Sequence, residues 1–154
     1  MASVLVAGGA SGIGRAVTRA FRLQGDAVLI ADRDGVGAKT AAAEDLPGLA
    51  EVFVADLADP DASRDAVAAA VAHGGGLDVL FANAAVLLAR PLPEWSVADW
   101  DRSLAVNLRA PFLLTQAALP HLRVSAVPRV IITSSTGGLR GHAGMPAYHA
   151  SKAG

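Results

Sequence analysis

Near its carboxyl end the chain carries "PAYHASKAG", in which Tyr148 and Lys152 stand four residues apart. On a helix that spacing puts both side chains on one face. A phenol with a pKa of ~10 is a poor base at neutral pH. A neighbouring ammonium favours the phenolate and moves it toward the range where proton transfer is efficient. The bland alternative is a surface tyrosine beside a solvated lysine, so the pair needs company. "RVIITSSTGG" supplies some: an apolar run leaves Ser134 and Ser135 at its end, and ligands of an open parallel sheet bind at the carboxyl ends of strands. Further upstream, "SLAVNLRAPFLLTQ" sets Asn107 in a helical stretch with Pro111 four residues on. Proline has no N–H, so the Asn107 carbonyl loses its helical donor and is free to hold a water.

A second group of residues opens the chain. After an apolar run comes "AGGASGIGRAV", with Gly8, Gly12 and Gly14. In such a loop the first glycine allows the tight turn off a strand, the next lets a pyrophosphate approach the backbone, and the last permits close helix packing. Amides at the start of the following helix point at the phosphates. A P-loop is disfavoured, because Arg15 and Ala16 follow Gly14 where Lys and Ser or Thr are needed. "AVLIADRD" then ends in Asp32, eighteen positions beyond Gly14, where a carboxylate can accept both adenosine ribose hydroxyls and repel a 2′-phosphate. NAD is therefore expected ahead of NADP, although the guanidinium of Arg33 could pair with that phosphate. Asp56, in "VFVADLAD", either accepts from the adenine amino group or begins a turn.

These groups need a scaffold. Short apolar runs at Ser3–Ala7, Ala27–Ala31, Val52–Ala55, Val79–Ala82 and Arg129–Thr133 alternate with helical stretches near Gly12–Gln24, Val36–Leu46, Pro60–His73 and Ser96–Leu119. That alternation predicts right-handed crossovers and a doubly wound α/β parallel sheet of Rossmann type. Gly25 is placed for a left-handed residue past a helix end. Asp59-Pro60-Asp61 reads as a cap, a first helical residue and a dipole partner, and Ser96 can cap in the same way. The carboxylates of "DLADPD" lack the glycine and final glutamate of a calcium loop. His142 and His149 have no acid or further histidine at ligand spacing, so no metal is expected. Trp95 and Trp100 are expected to pack.

Composition narrows the classes. Thirteen Lys and Arg against fourteen Asp and Glu leave a net charge of −1, which offers nucleic acid or an anionic membrane no field. The hydrophobic content of 53% fits strands buried on both faces, since no apolar run approaches the ~18 residues of a span. With no cysteine, thiol chemistry is excluded and the compartment stays open, the cytoplasm being the default.

Taken together, these motifs resemble the amino-terminal part of a short-chain dehydrogenase/reductase, across essentially all of the chain. The family's T-G-x-x-x-G-x-G loop stands as "AGGASGIG", with Ala7 for Thr, and its N-N-A-G as "ANAA", keeping Asn83 and Ala84. Ser135 precedes Tyr148 by thirteen positions, as in the family. The resemblance implies hydride exchange between NAD and an alcohol or carbonyl, with Asn107, Ser135, Tyr148 and Lys152 catalytic. Tyr148 would pass the proton, Ser135 hold the substrate oxygen, Lys152 hold the nicotinamide ribose, and Asn107 anchor a water. The cofactor set it implies is Gly8, Ser11, Gly12, Ile13, Gly14, Asp32, Arg33, Asp56, Leu57 and Asn83, with Tyr148 and Lys152. Ala7, Ala82 and Ala85 depart from the pattern and are expected to loosen cofactor binding. The resemblance also implies further strands and a substrate loop, and a homo-oligomer for the full-length protein. Residues 1–154 are therefore expected to form a Rossmann domain truncated after about five strands. It should be inactive alone, with Lys152 frayed on an unsupported turn and the fifth strand an exposed edge. Two rivals are a non-catalytic dinucleotide-binding sensor and an S-adenosylmethionine-dependent methyltransferase; neither needs Tyr148 beside Lys152.

Overall fold

The computed structural model describes residues 1–154. Five strands, β1 (Ser3–Ala7), β2 (Ala27–Asp32), β3 (Ala50–Val54), β4 (Val79–Ala82) and β5 (Arg129–Ile132), form one sheet in the order β3-β2-β1-β4-β5. Every neighbouring pair is parallel, as the alternation of elements predicts. The helices are α1 (Gly12–Leu23), α2 (Gly35–Ala42), α3 (Pro60–Gly74), α4 (Val97–Leu104), α5 (Ala110–Leu122) and α6 (Pro146–Ala153). The order reverses at β1, so the carboxyl ends of β1 and β4 diverge there and open the crevice that binds ligands in such sheets.

The period of two along each strand sends side chains to two cores. Leu5, Leu29 and Leu80 face α3 and α5 in one cluster; Val4, Val6, Ile30 and Phe81 face the α1–α2 side in the other. The capping residues act as their types predict. Asp59 accepts from the Asp61 amide with Pro60 in the first turn, Ser96 and Asp99 form a capping box, and Gly25 takes φ +85°.

Two helices differ from expectation. The stretch read as one helix from Ser96 to Leu119 is α4, a π-helical turn over Ala105–Arg109, and α5 running on to Leu122. Pro111 falls in the first turn of α5, and the widened turn before it absorbs the missing amide. Helix α2 stops at Ala42, short of Leu46. The cause is Arg22, only 4% exposed. Its guanidinium collects the carbonyls of Ala41, Glu44 and Gly48 at 3.0, 2.9 and 3.1 Å, drawing the chain out of the helix.

Candidate active site

Parallel register aligns Ala31, Ala7, Ala82 and Ile132 in one row across β2, β1, β4 and β5. The next residue on each strand is Asp32, Gly8, Asn83 and Thr133, and these four line the top of the sheet together. Gly8 takes φ +83°, and a Cβ there would stand 2.6 Å from the Ala84 backbone. Only glycine fits that position. Gly14 is buried for a related reason: a Cβ on it would overlap the Gly8 carbonyl oxygen, so α1 sits directly against the loop. At Gly12, by contrast, φ is +52° and nothing lies within 4 Å of an added Cβ. The Ser11 side chain makes no capping bond, so its hydroxyl and the first-turn amides of α1 face open space.

That space is a cleft of about 410 Å³. It is lined by Gly8, Ser11, Gly12 and Ile13 from the loop, by Asp32 and Arg33 after β2, by Asp56 and Leu57 after β3, and by Asn83 after β4. All the expected cofactor residues outside the Tyr148–Lys152 end meet there except Gly14, which lies behind it. The residues present fit a dinucleotide: an unfilled backbone cradle beside Gly12, a free hydroxyl on Ser11, and carboxylates beyond. Asp32 accepts from the Ala10 amide at one oxygen and from the Asp34 amide at the other, both at 3.0 Å. Asp56 does begin a turn, accepting from Ala58 N at 2.9 Å. It also accepts from Arg102 at 2.6 Å, a partner 46 residues away that no local pattern announces. Burial pushes this carboxyl up, but the Arg102 and Ala58 hydrogen bonds and the charges of Arg102 and Arg33 outweigh it, so its pKa lies below the usual value.

The reactive end borders a separate groove, lined by Asn107, Thr133, Ser134, Ser151 and Lys152 among others. Asn107 is buried, and its side chain pairs with both backbone groups of Val86 (2.7 and 2.9 Å) and reaches Ser151 Oγ at 3.1 Å. Lys152 donates to the Thr133 carbonyl at 2.7 Å, and its Nζ lies 5.9 Å from the Tyr148 ring centroid. Burial lowers its pKa from the ordinary lysine value. The expected fraying of Lys152 is not what the structure contains. Helix α6 docks on α4 and the π-helical turn, with Ala147 at 0% and Ser151 at 4% exposure, so tertiary packing outweighs nucleation cost. The fifth strand, in contrast, is the exposed edge the sequence predicts: Val130, Ile131 and Ile132 are 42%, 42% and 53% exposed.

Sequence reasoning missed three braces. Thr133 donates to Asn83 Oδ1 at 3.0 Å, and Asn83 Nδ2 donates to the Gly8 carbonyl at 3.1 Å. A continuous path therefore runs from the glycine loop through Asn83 and Thr133 to Lys152. His149 is the second brace. His142 N–H donates to its Nε2 at 3.0 Å, so the proton sits on Nδ1, which donates to the Gly137 carbonyl at 2.7 Å. Gly137 N in turn donates to Ser135 Oγ at 3.0 Å, so the ring ties the Ser135 turn to the helix of Tyr148. The third is Trp95, whose indole N–H is shared by the carbonyls of Arg90 and Gly144 at 3.2 and 3.3 Å. None of the three has a signal in local spacing. No helix is long and apolar enough to cross a membrane.

Comparison with known proteins agrees with this geometry. Residues 2–154 match the family described as short chain dehydrogenase. The 3-oxoacyl-[acyl-carrier-protein] reductase FabG of Thermotoga maritima is 34% identical over 97% of this chain and 62% of its own length. The probable galactose dehydrogenase GalD of Rhizobium meliloti is 38% identical over 98% and 60%. A Burkholderia cenocepacia short chain dehydrogenase solved in complex with NADP superimposes with a TM-score of 0.93 at 37% identity, over 99% of this chain and 63% of that one. A metagenomic short-chain oxidoreductase, also with NADP, gives 0.90 at 34% identity, over 97% and 70%. The chain thus spans about three fifths of the length of these curated relatives. With its glycine loop, its sheet and its Tyr148–Lys152 helix, the chain belongs to the short-chain dehydrogenase family.

Proposed function

We propose that residues 1–154 form the nucleotide-binding and proton-transferring part of an NAD(P)-dependent oxidoreductase interconverting a small alcohol and its carbonyl. The observation that supports this best is the hydrogen-bonded path from Gly8 through Asn83 and Thr133 to Lys152, which couples the phosphate cradle to the reactive end. The nicotinamide, when bound, supplies or takes the hydride. The chain's own residues do the rest.

The first-turn amides of α1 and the Ser11 hydroxyl hold phosphate oxygens. Asp32 keeps a lone pair on each oxygen beside its backbone bonds and accepts from the adenosine ribose, which favours NAD over NADP; Arg33 beside it moderates the preference. Tyr148 Oη gives its proton to the carbonyl oxygen in reduction and takes it back in oxidation. Ser135 Oγ, already oriented by Gly137 N, donates to the same oxygen. The Lys152 ammonium stabilises negative charge developing on the phenol oxygen and presents its remaining protons to the nicotinamide ribose. Asn107 fixes Val86 on the cofactor cleft and Ser151 on the Tyr148 helix at once, and its carbonyl, to which Pro111 cannot donate, anchors the water that returns protons to Lys152.

Turnover by residues 1–154 alone is expected to be weak, because the strand leading to Ser135 is a bare sheet edge. The test is therefore in two parts. NADH should bind the purified chain, read by nicotinamide fluorescence. In the protein that turns over a panel of alcohols, Tyr148→Phe should lower kcat by about a hundredfold or more while NADH binding persists. Unchanged turnover would favour the sensor reading, and binding of neither NADH nor NADPH would end both.

A further inference from the structure

Two arginines flank Asn107 on the α4–α5 segment, and both grip the turn after β3. Arg102, on α4, donates to Asp56 Oδ2 at 2.6 Å, and Arg109, on the π-helical turn, donates to the Ala58 carbonyl. The turn between those points carries Asp56 and Leu57, which line the cofactor cleft together with Arg102 itself. The Arg102 and Asp56 side chains are 32% and 46% exposed. An ion pair so wet contributes little to stability, so its main consequence is geometric. Without Arg102, the Asp56 carboxylate would keep only the Ala58 amide on Oδ1 and could swing away from the cleft.

We infer that Arg102 is a positioning residue for the adenine end of the cofactor: by holding Asp56 Oδ2 it aims the carboxylate at the adenine amino group. The inference rests on the dinucleotide reading given above. An ionised carboxylate only accepts hydrogen bonds, and the adenine 6-amino group donates. Hypoxanthine presents a carbonyl at that position, an acceptor facing an acceptor. A fixed Asp56 therefore discriminates between the two bases, and a loose one does not. Arg109 holds the far side of the same turn, at Ala58.

The experiment titrates NADH, reduced nicotinamide hypoxanthine dinucleotide and reduced nicotinamide mononucleotide into the chain and into Arg102→Met, following nicotinamide fluorescence. Losing one hydrogen bond to a charged group should weaken NADH binding on the order of tenfold. The hypoxanthine analogue should change less than about twofold, and the mononucleotide, which lacks the adenosine half, should not change. In an Asp56→Ala background Arg102→Met should add nothing. Arg102→Lys, which keeps the charge and a donor nitrogen, should recover part of the preference for adenine and serves if the methionine variant does not fold. Equal weakening of all three ligands would reduce Arg102 to a structural role and overturn the inference. NADPH is titrated as a control, and a loss confined to it would also overturn the inference, by making Arg102 a phosphate ligand. If the unaltered chain binds neither NADH nor NADPH, the oxidoreductase reading itself fails, an outcome separate from any effect of position 102.

Discussion

The two edges of the sheet are built differently. Strand β3 is an edge, yet α2 and α3 both pack on it, and its Glu51 meets His73 Nδ1 at 3.1 Å. A charged side chain and two covering helices blunt it against pairing with another chain. Strand β5 has a charge only at its first residue, Arg129, and less helical cover. Its only substantial helical neighbour is α5, its register puts Ile131 beside Phe81 on the opposite face, and Val130, Ile131 and Ile132 are all substantially exposed. The β3 side, which leads to Asp32 and Asp56, is thus the better covered of the two. The β5 side, which leads to Ser135, lacks the cover that would steady it.

Truncating core side chains probes this asymmetry most strongly. Leu29 on β2 is 1% exposed, and Leu29→Ala should cost about 3 kcal/mol in urea unfolding. Ile131→Ala should cost less than about 1 kcal/mol. Equal losses would erase the distinction between the two sides. Next comes Arg22, the buried guanidinium on the β3 side: Arg22→Met orphans three carbonyls and should cost about 2–3 kcal/mol. A loss under ~0.5 kcal/mol would show that water replaces it there.

An effect of pH sharpens the contrast at the other end of the sheet. Asp78, just before β4, accepts from Ser125 Oγ at 2.6 Å and Ser3 N at 2.8 Å. The Ser125 hydroxyl and then the Ser3 amide hold its carboxyl below the ordinary 3.8. A depressed carboxyl stabilises the fold fully above its unfolded value and loses that contribution as pH falls through the lower folded value. The stability gap between the chain and Asp78→Asn should therefore be constant near neutrality and close in acid below pH 3.8. A gap independent of pH would rule out this link. The smallest change in stability is expected for Ile131→Lys, within ~0.5 kcal/mol. Its readout is self-association by sedimentation, which a charge on the bare edge should suppress.

Much of the sheet was legible because buried strands are short apolar runs bounded by helix caps; β1 and β4 match their runs at both ends. Asp59, Pro60, Ser96 and Gly25 could be read because each acts on its own backbone within a few residues. What escaped was long-range. Pro111 signals a lost amide, but whether the helix kinks, ends or widens depends on Asn107 meeting Val86 and Ser151. The early stop of α2 depends on Arg22, and the aim of Asp56 on Arg102. Thr133 reads as one more β-branched strand residue until Asn83 and Lys152 stand on either side of it.

The level row formed by Ala31, Ala7, Ala82 and Ile132 has a consequence for folding as well as for chemistry. If β5 slid by a single residue, Asn83 would meet Ile132 or Ser134, and the carbonyl that seats Lys152 would move by a full step of the strand, about 3.3 Å. Strand alignment therefore calibrates the lysine, and a misregistered chain would keep its sheet but lose its proton donor's partner.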